Sequence, residues 1–364
     1  MADARTPTIV ELATSLSKIT SVEMFSPQAK WVAFGAKPYT EDRSPSGLKV
    51  TTIPIQRGYF RFPRIGMLRR ALLNGIGRRG DQDALLVAYP QYASVADQWR
   101  GPVIYYATDR YSYFHGVNRT RIEHLEAKLS ERSDMVVAVS ARIANYFIHD
   151  LGCPANRVHI LPNAAHPSSV QREDDVAYRE EVGLGIDRPI AGIIGNCGDN
   201  IDWTLLADLI TQTPWMTWVF VGPVQANLAT TRQSLCRQKV FSCKNVRLLG
   251  KQPYSKLGRY ARSFDVAVLP YSSTEPTRSG SSTRFYEHLA ACRPILATRG
   301  VEELGSKAEL ITLFDRAEDA RLELQHLRAQ GFRDGKEHAR WLASKNETWD
   351  VRAQDLLSKL GFLN

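Results

Sequence analysis

The chain has 364 residues and a formal net charge of +9, with 43% hydrophobic and 23% charged residues. Its length predicts two domains, and its composition excludes a disordered or fibrous protein. No window has the long uncharged apolar run of a transmembrane helix, and the first residues lack the pattern of a signal peptide. We therefore expect a cytoplasmic protein, and the basic charge predicts an anionic partner: nucleic acid, a phosphorylated substrate or a membrane surface.

The elements alternate between apolar strands and amphipathic helices, which predicts parallel sheets covered on both faces. In the first half, strands are predicted at 22–25, 50–55, 84–88, 103–106, 135–139 and 158–161, and helices at 8–17, 65–73, 119–130 and 141–150. A polar stretch, 166–175, reads as a linker. In the second half, strands are predicted at 189–194, 218–221, 246–248, 266–269, 295–297 and 310–312, and helices at 202–211, 256–262, 282–291, 317–330, 335–344 and 348–360. Two doubly wound α/β domains in tandem follow from this order, and ligands of such folds bind at the carboxyl ends of the strands.

The segment 280–298 reads as a small-residue loop, a short helix and a buried strand. The start of the helix predicts an anion site, because backbone N–H groups and the positive end of the helix dipole meet there. Arg284 in the first turn can reach the same anion, and Glu287 lies one turn further on. Together they suit a diphosphate and the hydroxyls of a ribose. The alternative is an exposed helix with an ordinary Glu/Arg pair.

Asp109 follows directly on the predicted strand 103–106, and aromatic residues flank it on both sides. A carboxylate at that end of a parallel strand faces a cleft, and poor solvation raises its pKa toward the range of a general base. The alternative is a turn aspartate or a helix N-cap.

Two patterns bear on metals and thiols. The five cysteines, Cys153, Cys197, Cys236, Cys243 and Cys292, are scattered without metal-ligand spacing and are predicted to be reduced. Asp81 and Asp83 form an Asp-x-Asp pattern at the entry to a strand, which we interpret as a turn. No metal is therefore expected.

The segment 57–79 alternates arginines with aromatic and aliphatic residues and contains no acid. This pattern predicts contact with an anionic membrane or with the diphosphate of a lipid-linked acceptor. The arginines assigned to this role are Arg57, Arg61, Arg64, Arg69 and Arg70. A core helix with a basic face is the main alternative, and single-stranded nucleic acid is another.

Further motifs follow one another in a set order along the chain. They are the helix at 121–132, Asp134 before an apolar strand ending at Ser140, Pro162-Asn163, Gly195-Asn196, Gly250 with Lys251 and Gln252, Asp265 before a strand ending at Pro270-Tyr271, and the helix of Arg284 and Glu287. Over about residues 8–360 this order resembles that of the GT-B glycosyltransferases. It is most similar to bacterial enzymes of exopolysaccharide assembly, the xanthan-type glucuronosyltransferases and the teichuronic-acid-type transferases.

The resemblance implies a GT-B fold, in which two Rossmann-like domains face each other across a cleft. The implied limits are 1–168 for the acceptor-binding domain, 169–345 for the donor-binding domain and 346–364 for a helix that crosses back. It also implies roles: Asp109 after Tyr-Tyr-Ala-Thr as general base, and a set of donor-binding residues. These are Gly195, Asn196, Lys251, Gln252, Tyr271, Ser281, Ser282, Thr283, Arg284 and Glu287.

This sequence departs from the family pattern at four places. The given sequence is expected to open on a helix, 8–17, so the strand that usually begins the first domain is either missing or lies upstream of this start. Arg284 stands where the family has Lys, Ala164 where it has the Gly after Pro-Asn, and Cys292 where it has a Gly at the helix end. Glycine favours the left-handed conformation at such a helix end, so we expect a different helix termination there.

The implied function is metal-independent transfer of a sugar from a nucleotide sugar, expected to be UDP-linked, to a hydroxyl of a lipid-linked or glycan acceptor. Asp109 would accept the proton of the acceptor, with inversion, while Arg284 and the amides of Ser281–Thr283 stabilise the leaving diphosphate. The expected location is the cytoplasmic face of the inner membrane, without a nucleic-acid partner. Alternatives are a GT-B-like module that binds a nucleotide or polysaccharide without chemistry, and a dehydrogenase or epimerase. The latter is disfavoured because no Gly-x-Gly-x-x-Gly directly follows an early predicted strand.

Overall fold

The computed structural model describes residues 6–29, 40–43, 47–55, 83–114, 116–170, 179 and 188–361. The predicted helix 65–73, the five arginines of segment 57–79 and Asp81 lie outside these residues. The chain forms two compact units, Met1–Pro162 with Arg352–Asn364, and Asn163–Val351. None of the described helices is long and apolar enough to cross a bilayer.

The first unit contains two sheets. A three-stranded sheet has the order β1-β3-β2, with β1 (Glu23–Ala29) parallel and β2 (Thr40–Arg43) antiparallel to β3 (Lys49–Ile55). A parallel sheet has the order β4 (Leu85–Val87), β5 (Val103–Ala107), β6 (Met135–Ala138) and β7 (Val158–Ile160). Every residue of β5 and β6 is buried, as expected for apolar strands covered on both faces. All of these strands except β2 were predicted.

The first unit contains the helices α1 (Pro7–Ser17), α2 (Ala93–Ala96), α3 (Arg119–Arg132) and α4 (Ala141–Asn145). Two of these helices, α3 and α4, begin at side-chain caps. Asn118 caps α3 by accepting a hydrogen bond from the Arg121 amide at 2.9 Å, and Ser140 caps α4. A π-helical turn, Tyr146–Asp150, continues α4 to the end predicted for a single helix.

The second unit is one parallel sheet of six strands in the order β10-β9-β8-β11-β12-β13. The strands are β8 (Ile190–Ile194), β9 (Thr217–Val221), β10 (Val246–Gly250), β11 (Val266–Leu269), β12 (Ile295–Thr298) and β13 (Thr312–Phe314). From β8 the chain adds strands on one side, and from β11 on the other. The direction of winding therefore reverses between β8 and β11, which is where ligands of doubly wound sheets bind.

Helices cover both faces of this sheet. They are α5 (Trp203–Gln212), α6 (Thr231–Ser242), α7 (Leu257–Ser263), α8 (Glu275–Ser279), α9 (Thr283–Leu289), α10 (Ala317–Ala329) and α11 (Glu337–Ser344). The last helix, α12 (Trp349–Lys359), begins in the second unit, and from Arg352 onward it belongs to the first. The sequence did not predict α6, because Val240 is its one buried residue and its apolar periodicity is weak. Cys292 adopts φ +58° after α9, so the left-handed position expected of a glycine is kept.

Candidate functional site

Glycines end three neighbouring strands, of which β8 borders the point where the winding reverses. Gly195 follows β8 with φ +108°, Gly222 follows β9 with φ +152°, and Gly250 ends β10 with φ +66°. A side chain at Gly222 would collide with the carbonyl of Gly195, and one at Gly195 would come within 2.6 Å of Nε of Arg284. The glycines thus leave a side-chain-free surface, and Arg284 lies against it.

Arg284 is 5% exposed, and its guanidinium is only partly satisfied. Its Nη2 donates to the Asn196 carbonyl, and its Cζ lies 5.1 Å from the ring centre of Tyr271. Its Nη1 is buried without a hydrogen-bond partner, and none of the carboxylates in the described ranges forms an ion pair with it. By contrast, buried Arg340 is paired with Asp334. An uncompensated buried cation is strongly unfavourable, so the Arg284 site suits an anionic ligand.

Two of the backbone amides at the start of α9, those of Ser282 and Thr283, are already hydrogen-bonded, which corrects the anion-binding role predicted for them. Ser282 N–H donates to Glu303 Oε2 at 3.0 Å, and Thr283 N–H donates to the Ser281 carbonyl at 3.1 Å. The Ser282 hydroxyl caps α9 at the Phe285 amide. Because α9 has seven residues and these amides are occupied, Arg284 carries the positive charge of the site.

Two further residues hold this loop in place. Tyr271 Oη lies 2.7 Å from Ser282 Oγ. Asn163 donates from its backbone amide to Ser281 Oγ at 3.0 Å and from Nδ2 to the Ser281 carbonyl at 2.8 Å. The sequence analysis quoted Asn163 as part of a motif without assigning it this role. Its position after Pro162 was the available signal.

Glu287 does not share a ligand site with Arg284 in the way the sequence suggested. It is 1% exposed, its Oε1 accepts from the His166 amide at 2.9 Å and its Oε2 from Ser169 Oγ at 2.7 Å. Burial raises the pKa of Glu287 to about 7, and these hydrogen bonds oppose the rise. The carboxylate therefore anchors the turn Pro167–Val170, and the predicted linker is ordered at least that far.

Lys251 and Gln252 follow β10 at the same edge of the sheet as Gly195. Gln252 Nε2 donates to the Leu249 carbonyl at 2.9 Å, which fixes the turn, and Lys251 is exposed. Their assignment to the nucleobase stays a prediction.

Asp109 lies two residues beyond β5 in the first unit and is partly buried. Thr108 Oγ1 donates to its Oδ2 at 3.2 Å, and burial raises the pKa of Asp109 to about 7. The short helical turn Tyr111–Tyr113 receives no side-chain cap, so the N-cap alternative for Asp109 is wrong. The sequence analysis did not single out Tyr106. Its hydroxyl is buried without a hydrogen-bond partner among the described residues, and it interacts electrostatically with Arg352 and Asp109.

Glu126 is a second buried carboxylate of this unit, and it was missed in the sequence. It is 1% exposed and accepts from Tyr105 Oη at 3.4 Å and from Tyr146 Oη at 3.1 Å. Burial raises its pKa to about 7, which its hydrogen bonds and Arg110 oppose.

Replacing Glu126 with Gln should flatten the pH dependence of stability. The pKa of Glu126 in the folded protein, about 7, exceeds its usual value of 4.5, so the fold favours the protonated side chain. The contribution of this protonated side chain to the free energy of unfolding is complete below pH 4.5 and is lost as pH rises through 7. At pH 8 we expect Glu126→Gln to raise the free energy of unfolding by up to about 3 kcal/mol, and to change it little at pH 4. Urea denaturation at both pH values measures this. The exposed Glu131→Gln on α3 is the control, and a loss of stability at pH 8 would contradict the prediction.

No group of three or more metal-ligating side chains occurs in the part of the chain that the structure describes. Asp83 is exposed there, and its carbonyl accepts from Trp99 Nε1.

Comparisons with known proteins agree with this architecture. Residues 8–169 match the model of Glycosyltransferase Family 4. One relative is TuaH of Bacillus subtilis (strain 168), which is described as a teichuronic acid biosynthesis glycosyltransferase. The two sequences are 21% identical over 203 residues, which make up 56% of this chain and 49% of TuaH. The match thus spans about half the length of that relative.

Two solved structures are similar over most of the chain. HepE from Anabaena in complex with UDP has a TM-score of 0.69 at 16% identity, covering 87% of each chain. Sucrose-phosphate synthase from Thermosynechococcus elongatus has a TM-score of 0.72 at 14% identity, covering 100% of this chain and 94% of that one. The predicted α/β fold of the GT-B type is confirmed.

Proposed function

We propose that this GT-B protein is a glycosyltransferase that moves a sugar from a UDP-linked donor to a hydroxyl of a lipid-linked or glycan acceptor. The observation that carries the proposal is the buried guanidinium of Arg284, which lies where the winding of the sheet reverses and pairs with none of the described carboxylates. Support comes from the family match over residues 8–169 and from the likeness to HepE, a structure in complex with UDP.

The donor half of the proposal rests on Arg284. As the bond between the sugar and the diphosphate breaks, negative charge grows on the leaving diphosphate, and a fixed guanidinium stabilises it. Gly195 lets the ligand and Arg284 approach the backbone closely. Since Arg284 supplies positive charge, we propose that transfer needs no metal. Lys251 and Gln252 would hold the nucleobase.

The acceptor half rests on Asp109. The acceptor oxygen attacks the anomeric carbon, UDP leaves, and the carboxylate of Asp109 takes the hydroxyl proton. A pKa of about 7 suits this role, because the group is then both largely ionised at slightly alkaline pH and basic enough to accept a proton. One carboxylate acting directly on the acceptor gives inversion.

The class of acceptor is inferred from sequence. The likeness to TuaH supports a polymer or lipid-linked glycan of the exopolysaccharide type, with hexose or glucuronic acid as the transferred sugar. The basic and aromatic residues of segment 57–79 support a peripheral association with the cytoplasmic face of a membrane.

A thermal-shift series with UDP, GDP, uridine and UDP-sugars tests the donor site. A ligand present at about 100 times its Kd adds about 2.7 kcal/mol to stability, which corresponds to a rise in Tm of roughly 2–4 °C. We expect UDP and its sugars to raise Tm, with and without EDTA, and uridine to raise it much less because it lacks the diphosphate. No shift with millimolar UDP would overturn the proposal. Binding of UDP-sugars without hydrolysis or transfer would instead indicate a non-catalytic binding module.

A further inference from the structure

Arg110, directly after Asp109, is a second buried arginine that forms no ion pair with the carboxylates of the described residues. It is 7% exposed, and its guanidinium carbon lies 3.3 Å from the ring centre of Tyr146 and 5.1 Å from that of Tyr113. Its Nη1 is buried without a hydrogen-bond partner, and no ion pair joins it to the described carboxylates. Stacking on two rings favours the cation but leaves this N–H unsatisfied.

Neither neighbouring carboxylate, Asp109 or Glu126, is within ion-pair distance of Arg110, although Arg110 lowers the pKa of Glu126. Asp109 is adjacent in sequence, yet its pKa is raised by burial, and Arg110 is not among the groups that lower it. Glu126 interacts electrostatically with Arg110, but its two carboxylate oxygens accept hydrogen bonds from the hydroxyls of Tyr105 and Tyr146. Arg110 also hydrogen-bonds to the Tyr146 side chain, yet its Nη1 N–H keeps no acceptor among the described residues.

A second cation shares the same exposed ring. Tyr113 is 37% exposed. Arg119 Cζ lies 4.4 Å from the centre of that ring, and its Nη2 donates to Tyr113 Oη at 3.1 Å. The partner of Arg119 is Glu123 at 2.8 Å, in an exposed pair of the kind that contributes little to stability. Arg119 can therefore exchange Glu123 for a more highly charged ligand.

We propose that Arg110 and Arg119, at the ring of Tyr113, form an anion site for a phosphate group of the acceptor. Two guanidinium groups offer several N–H donors, and a phosphate offers a charge near −2 and three acceptor oxygens. The site deepens the proposed function, on which it rests, by giving the acceptor a phosphate close to the hydroxyl that reacts. That phosphate belongs either to a lipid-linked glycan or to a soluble phosphorylated one.

Calorimetric titration with inorganic phosphate tests the site. The titration is made in the Arg284→Gln background, so that the donor site cannot contribute. We expect measurable binding there, weakened about ten- to hundredfold by Arg110→Gln and less by Arg119→Gln. Lys128→Gln is the matched control, because it removes an exposed cation from the same helix as Arg119.

Phosphate affinity that is unchanged by Arg110→Gln, or reduced equally by Lys128→Gln, would overturn the site. Should Arg110→Gln fail to fold, the exposed Arg119→Gln still decides, since an affinity unchanged in that variant also overturns the site. Vesicles of phosphatidylcholine with and without phosphatidic acid separate the two sources. Arginine-dependent binding to phosphatidic acid assigns the phosphate to a lipid, and binding of inorganic phosphate alone assigns it to a soluble glycan. Because phosphate binding is read without UDP, the site can stand even if UDP fails to bind.

Discussion

We expect Asp109→Asn to lower kcat for sugar transfer about 1000-fold and to change the affinity for UDP by less than about twofold. A positioned general base contributes about 10²–10⁴ in rate, and an amide cannot accept the proton of the acceptor. The substitution keeps the shape of the side chain and the hydrogen bond from Thr108, so packing should persist. Steady-state transfer from UDP-sugars and calorimetric titration with UDP measure the two effects.

The control is Asp150→Asn, which makes the same chemical change at an exposed position of the same unit. The wild-type rate should also fall tenfold per pH unit below about pH 7, because Asp109 is protonated there. A variant that retains the wild-type kcat, or a rate that is flat between pH 5 and pH 8, would remove Asp109 from the role of base.

The fold was predictable from the sequence because its strands are continuous apolar runs. β11 lies at the predicted residues, and the other strands of the second unit differ by at most two residues at an end. Helix α6 could not be predicted in this way, because it buries one side chain, Val240, and so has no clear apolar periodicity. It packs beside α5 and β10. Strand β2 could not be predicted either, since Thr40–Arg43 is polar and pairs only with β3.

The sequence grouped several residues that the structure brings together, but it did not predict the hydrogen bonds between them. Sequence order placed Gly195, Asn196, Tyr271, Ser282 and Arg284 in one list, and the structure brings these five together. The list could not reveal that Glu303, which lies beyond β12, takes the Ser282 amide. It also could not reveal that the Glu287 carboxylate accepts a hydrogen bond from Ser169 in the segment Pro167–Val170. The two residues lie 118 positions apart in the sequence. Long-range pairing of this kind leaves no local pattern.

Replacing Arg284 should affect stability and UDP binding in different directions. Arg284→Gln removes a buried charge that has no counter-ion, so the free energy of unfolding without ligand should stay constant or rise. Affinity for UDP should fall about a hundredfold, the equivalent of roughly 2.7 kcal/mol, because charge-assisted hydrogen bonds to the diphosphate are lost. Urea denaturation and calorimetry on the same samples measure both quantities.

Two other arginines provide the contrast. Arg340→Gln leaves Asp334 buried without its partner and should destabilise the fold by about 3–5 kcal/mol, with UDP affinity unchanged where the protein still folds. Arg278→Gln removes an exposed charge from α8 and should change neither quantity. If Arg284→Gln behaved like Arg340→Gln, with lost stability and intact UDP binding, its guanidinium would be a structural cation and the donor site would lie elsewhere. The opposite pattern, a more stable protein that no longer binds UDP, is expected only if the missing counter-ion of Arg284 is the diphosphate of the donor.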